Sequence, residues 1–146
     1  MYERFTERAR NIMSFATQNS ERLKHDYIDT EHILLGLLEE FGGVAAEVMK
    51  ARGIDPVVSR EKIERLLKPG LDNIEIKRRV YRPLAKKTLE YAIAEAQSMD
   101  HNYLGTEHIL LGLLRIEDGL AAQVLKELNL NYQDTRKAVL EYLGQS

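Results

Sequence analysis

Apolar residues fall into two kinds of run along this chain, and the contrast between them predicts its architecture. Over residues 6–24, Ala9, Ile12, Met13, Ala16 and Leu23 recur at helical spacing on a polar background, which predicts an amphipathic helix with one buried face. A second stripe of Leu84, Thr88, Leu89, Ala92, Ile93 and Ala96 runs over residues 83–99. Pro83 suits its first turn, where a missing N–H costs nothing. The runs at 33–38 and 109–114, by contrast, are apolar on every side. Helices of that kind are buried all round, so each is expected at the centre of its half. Thr30 and Thr106 are expected as their N-caps, with Glu31 and Glu107 complementing the positive end of the dipole.

Gly43 and Gly119 mark the entry to third helices over 44–52 and 120–128. Gly53 and Asn129 are expected to close them in the left-handed conformation. Fourth helices are expected near 59–67 and 134–143. Lys68-Pro69-Gly70 stops a helix, and the stretch to Val80 has no period, so it reads as a surface linker. No strand pattern survives a count, and the expected fold class is all-α.

The nine residues Thr-Glu-His-Ile-Leu-Leu-Gly-Leu-Leu occur at 30–38 and again at 106–114. The offset of 76 holds without a gap, pairing His25 with His101, Tyr27 with Tyr103 and Gly43 with Gly119. Between 25–54 and 101–130, 16 of 30 positions are identical. Upstream, Phe5 matches Tyr81 and Ala9 matches Ala85; downstream, Arg60 matches Arg136 and Leu67 matches Leu143. The chain is one unit written twice, and any site built on the motif should exist twice. We divide a single domain, 1–146, into a first repeat at about 5–68, a linker at about 69–80 and a second repeat at about 81–144.

Composition narrows the function classes. No apolar run approaches the roughly 18 residues of a membrane span, and Met1-Tyr2-Glu3-Arg4 is not a signal peptide. The absence of cysteine excludes disulfides, thiol catalysis and thiolate metal sites, and suits a cytoplasmic location. A net charge of −2 gives no global pull towards nucleic acid or membrane.

The duplicated motif, with Phe5-Thr6-Glu7-Arg8-Ala9 before it and Gly-x-Ala-Ala after it, resembles the Clp N-terminal (Clp R) repeat domain, and most closely that of the ClpC type of Hsp100 unfoldase. The resemblance covers nearly the whole chain. It implies two tandem four-helix repeats with pseudo-twofold symmetry. It also implies a place on a hexameric ATP-driven ring with its associated peptidase, receiving protein substrates and adaptor proteins. The chain has no G-x-x-x-x-G-K-[ST] loop, and no glycine is followed by lysine, so it holds no ATPase of that kind. The expected function is a non-catalytic substrate- and adaptor-binding domain. The alternative is a free-standing accessory protein that modulates a Clp protease complex.

Glu31 and Glu107 are the leading site candidates. A carboxylate at a helix start takes an arginine fork bidentately, and first-turn amides accept phosphate. Together they suit phosphoarginine, and the resemblance to ClpC-type domains implies binding of arginine-phosphorylated substrates, with Thr6, Thr30, Thr106 and Arg82 as expected neighbours. The plainer reading is that these carboxylates only complement the helix dipole. Asp29 stands where the second copy has Gly105, and Arg82 and Leu84 replace Thr6 and Arg8, so the two sites should differ, the second being better for phosphate. Tyr2, Phe5 and Tyr81 are read as core aromatics or as a hydrophobic docking groove. His32 and His108 lack a metal-ligand spacing and read as structural, so neither a metal, a cofactor nor a catalytic residue is expected. Lys77, Arg78, Arg79, Arg82, Lys86 and Lys87 form a basic stretch. It reads as a solvated face or a dock for an acidic adaptor, since nucleic-acid binding would need aromatic interleaving.

Overall fold

The two all-apolar runs become the centre of the molecule. The computed structural model describes residues 4–71 and 78–145. In chain order the elements are α1 (Glu7–Arg22), β1 (Tyr27–Ile28), α2 (Thr30–Glu40), α3 (Gly43–Ala51), α4 (Pro56–Leu66), β2 (Val80–Tyr81), α5 (Pro83–Ser98), α6 (Thr106–Leu114), α7 (Leu120–Glu127) and α8 (Tyr132–Tyr142). Ile33, Leu34 and Leu35 of α2, and Ile109, Leu110 and Leu111 of α6, are fully buried. The amphipathic helices α1 and α5 each lie along the buried helix of their own repeat.

The glycine inside the motif permits this close packing. A Cβ at Gly36 would overlap the Ile12 carbonyl oxygen, and one at Gly112 would overlap the Thr88 carbonyl oxygen. Positions 12 and 88 are themselves related by the offset of 76, so both helix pairs cross in the same way.

The repeats interleave rather than stand side by side. Helix α3 packs on α6 and α8, and α7 packs on α2 and α4. β1 pairs in parallel with β2, with Tyr27 opposite Val80 and Ile28 opposite Tyr81. A bridge of the same sense joins Phe5 to Leu104. The Arg82 N–H donates to the Ile28 carbonyl and the Thr6 N–H to the Leu104 carbonyl, both at 2.9 Å. Each repeat therefore lends its entry segment to the loop of the other, which is pseudo-twofold symmetry at the level of single bonds. The fold is all-α, two four-helix repeats sharing a main core, with a smaller cluster of Val48, Met99, Leu111 and Val139 beside it.

Several local expectations are corrected. The N-caps of α2 and α6 are Asp29 and Gly105, not Thr30 and Thr106, which occupy the first helical position. The Asp29 carboxylate accepts the Thr30 N–H at 2.8 Å. Thr106 instead turns its hydroxyl towards the other repeat, where it accepts the Ala45 N–H of α3 at 3.1 Å. Helix α4 starts at Pro56 because Asp55 caps it, and α8 at Tyr132 because Asn131 does. The linker is anchored at both described ends: the Gly70 N–H donates to Leu23 at 2.7 Å, and Arg79 Nε donates to Ser20 Oγ at 3.0 Å. Gly53 and Asn129 do adopt the left-handed conformation, with φ of 76° and 60°.

Glycine-to-alanine substitution inside a helix normally raises stability by about 1 kcal/mol. Gly36→Ala and Gly112→Ala should instead lower it by roughly 1–3 kcal/mol, the range for overpacking a tight contact. Urea unfolding midpoints read the sign directly, and a rise in either variant would contradict the close crossing.

Candidate functional site

The exchanged entry segments gather helix starts into two clusters. In one, Thr6 caps α1 and bonds to Leu104, two residues before α6 begins, and Thr106 of α6 caps α3. The N-termini of α1, α3 and α6 therefore meet. In the other, Arg82 at the start of α5 bonds to Ile28, two residues before α2. There Gly119, which precedes α7, lies against Thr30: a Cβ built on it would stand 3.5 Å from the Thr30 hydroxyl. Each cluster concentrates first-turn amides and the positive ends of three helices.

Every site residue foreseen within the described chain falls in these clusters, but the copies are crossed. Glu107, Thr106 and Thr6 share one cluster; Glu31, Thr30 and Arg82 share the other. Arg82, from the second copy, faces Asp29 and Glu31 of the first. Phe5 is buried, and Tyr81 is half-buried against the core. Tyr2 and Lys77 lie outside the described residues.

In the Glu107 cluster, Gly105 leaves room for the carboxylate to fold back, and Glu107 is only 3% exposed. Its Oε2 accepts from the Tyr103 hydroxyl at 3.4 Å. Burial raises its pKa above the usual carboxylate value, against the lowering effect of its own backbone amide, His101 and Tyr103. The Arg8 stem passes the start of α3, where a Cβ at Gly43 would be 3.1 Å from both Arg8 Cδ and Thr106 Oγ1, and its guanidinium pairs with Glu40 at 2.8 Å. Another buried acid, Glu95, shows the contrast. It holds Arg115 at 3.2 Å, Arg136 at 3.3 Å and the Tyr132 hydroxyl at 2.6 Å, and so has a structural task.

In the Glu31 cluster, Asp29 occupies the space that Gly105 leaves open, and Glu31 is half-exposed. Its pKa is also raised, first by burial and then by Asp29. The Arg82 guanidinium lies over the Tyr27 ring, 3.6 Å from its centroid, with an Nη 3.6 Å from Asp29 Oδ2. Tyr27 and Tyr103 were passed over in the sequence, where a lone aromatic in a loop carries little signal.

Beneath each cluster runs an imidazole relay. The Asp29 N–H donates to His32 Nδ1 at 2.9 Å, so neutral His32 carries its proton on Nε2. That proton goes to His25 Nδ1 at 2.8 Å, and His25 Nε2–H donates to the Lys68 carbonyl at 2.7 Å. The second relay runs from the Gly105 N–H through His108 and His101 to Gln145 Oε1, at 2.9, 2.8 and 2.7 Å. His101, Glu107 and His108 lie close enough to suggest a metal site. Both ring lone pairs, however, already accept hydrogen bonds, and a metal would have to break the relay.

Two families of observation now coincide: a duplicated helical fold with exchanged entry segments, and sequence similarity along the whole chain. Residues 4–79 and 81–146 each match the model of the Clp repeat (R) N-terminal domain. The chain belongs to this family. It is 41% identical over all 146 residues to the negative regulator of genetic competence ClpC/MecB of Bacillus subtilis (strain 168), and covers 18% of that protein. It is 40% identical over the same length to the chloroplastic chaperone protein ClpC1 of Oryza sativa subsp. japonica, and covers 16% of it. Among solved structures, the N-terminal domain of the caseinolytic protease associated chaperone ClpD from Arabidopsis thaliana superposes with a TM-score of 0.73 at 29% identity, over 99% of this chain and 97% of that one. The chain thus spans less than a fifth of the length of these two relatives. Among the described residues of this Clp repeat domain, no helix is long and apolar enough to cross a membrane.

The relays make the fold acid-sensitive. Burial, followed by the neighbouring histidine, lowers His32 to about 3 and His108 to about 4. The unfolded chain binds these protons first, so stability is complete above about pH 6.5 and falls as pH drops towards about 4 and 3. The slope approaches about 1.4 kcal/mol per pH unit for each imidazole. Glu31 and Glu107, with raised pKa values, act in the opposite sense at the acidic end. Denaturant unfolding at pH 7.5, 6.0 and 5.0 should show the decline, and His32→Gln/His108→Gln should flatten it.

Proposed function

We propose that this chain is the non-catalytic recognition domain of a ClpC-like unfoldase, and that it captures protein clients or adaptors displaying arginine phosphate. The observation that carries the reading is Glu107, a buried carboxylate in the first turn of α6, set where the starts of α1, α3 and α6 meet. A phosphoguanidinium presents a planar donor fork and an anion within one side chain. The fork suits Glu107, and the phosphate suits the first-turn amides and the Thr6 hydroxyl, with Arg8 joining them by exchanging its exposed pairing with Glu40. A cation arriving at a desolvated carboxylate relieves the unfavourable burial that raises its pKa. Capture of this kind is weak for one domain and strong for several on a hexameric ring. The likeness to the ClpC chains supports a place on such a ring with its peptidase, and a cytoplasmic location is proposed with it. The basic stretch from Arg78 to Lys87 is left to contact acidic partners.

Calorimetric titration with phosphoarginine should give saturable binding, with arginine and phosphoserine clearly weaker because each presents only half of the ligand. Glu107→Ala should weaken it about tenfold or more, as expected when a charged hydrogen-bond partner is lost. Affinity should also fall as pH drops through the raised pKa of Glu107, where a proton competes with the guanidinium. Unchanged affinity in Glu107→Ala would overturn the reading.

A further inference from the structure

The offset of 76 allows the two clusters to be compared residue by residue, and in the first an arginine covers the tyrosine ring. In the first, Tyr27 is sandwiched: His25 stacks on one face at 4.8 Å, and the Arg82 guanidinium covers the ring at 3.6 Å. In the second, His101 stacks on Tyr103 at the same 4.8 Å. The residue equivalent to Arg82 is Thr6, too short to cover the ring and turned to cap α1. Glu31 and Glu107 stand at equivalent positions beside their tyrosines. Arg82 also faces Asp29, whose counterpart is Gly105.

Resting on the reading above, we infer that Arg82 is the chain's own occupant of the first site, so that only the second accepts an external phosphoguanidinium. Arg82 supplies the planar cation for which the tyrosine face and the acid are suited. Asp29 has a double effect. It pairs with Arg82, and its charge repels the phosphate of any competitor. The domain then reads one arginine phosphate rather than two, and valency comes from the number of domains on a ring instead of from the duplication. Arg82 remains about half exposed, so the closure is a competition that substitution can reverse, not a sealed plug.

Two measurements test this. The first needs no ligand: ring-current shielding by Tyr27 should move the Arg82 side-chain NMR signals upfield, and Tyr27→Leu should abolish the displacement. Unshifted Arg82 signals in the unsubstituted domain would overturn the inference. The second is titration with phosphoarginine. The unsubstituted domain should bind one equivalent and Glu107→Ala essentially none. Glu107→Ala combined with Arg82→Thr and Asp29→Gly should regain one equivalent, which Glu31→Ala removes. Binding retained by Glu107→Ala at a second equivalent site, or no gain in the triple variant, would overturn the closure. If the unsubstituted domain fails to bind while the triple variant succeeds, the closure stands and the assignment of the Glu107 site falls.

Discussion

Two backbone hydrogen bonds, from Thr6 to Leu104 and from Arg82 to Ile28, set the terms for the rest of the molecule. Each ties the entry of one repeat to the loop of the other, and so fixes where all the helix starts must lie. Once they form, α1 can begin only beside α6, and α5 only beside α2. Helices α3 and α7 then close against the opposite repeat. A main shared core results, and a smaller cluster of Val48, Met99, Leu111 and Val139 also draws on both repeats.

A helix as apolar as α2 or α6 has few ways to satisfy its first amides inside such a core. The imidazole at the third helical position supplies one, accepting the cap amide and passing the polarity on to a second imidazole. Each relay starts at an obligate donor and ends at an obligate acceptor, so each of its ring nitrogens has a partner. The arrangement works only while the rings are neutral. Charge is admitted elsewhere, where guanidinium groups surround it, as around Glu95.

Much of this architecture was legible in the residues. The helical stripes placed α1 and α5 closely, the all-apolar runs identified the buried helices, and the repeated motif announced two equivalent centres. The resemblance to Clp repeat domains added the pairing of four-helix units. Tertiary choices were harder to read. A threonine at a helix start suggests a local cap, yet the hydroxyl of Thr106 serves another helix and leaves capping to the residue before it. Strands of two residues are too short for any periodic count. Which copy's arginine meets which copy's acid depends on the crossing of the chain, and no offset along the sequence reveals it. Glu31 and Glu107 lie in the first turns that the motif implies, and only the crossing sets which neighbours stand beside each.

The exchange of entry segments also changes what the duplication means. Each cluster takes its tyrosine and its acid from one copy and the cap of its facing helix from the other. Half the chain therefore carries half of each site and no complete one. A lone copy could rebuild a cluster only by pairing with itself. Two second copies would then set Arg82 against Tyr103 and Gly105, and two first copies would set Thr6 against Tyr27 and Asp29. The natural chain contains neither combination. By joining two unequal copies, it matches an arginine with an aspartate on one side and a threonine with a glycine on the other. The division between a filled and an open face belongs to the heterodimer written into one polypeptide, and to neither of its halves.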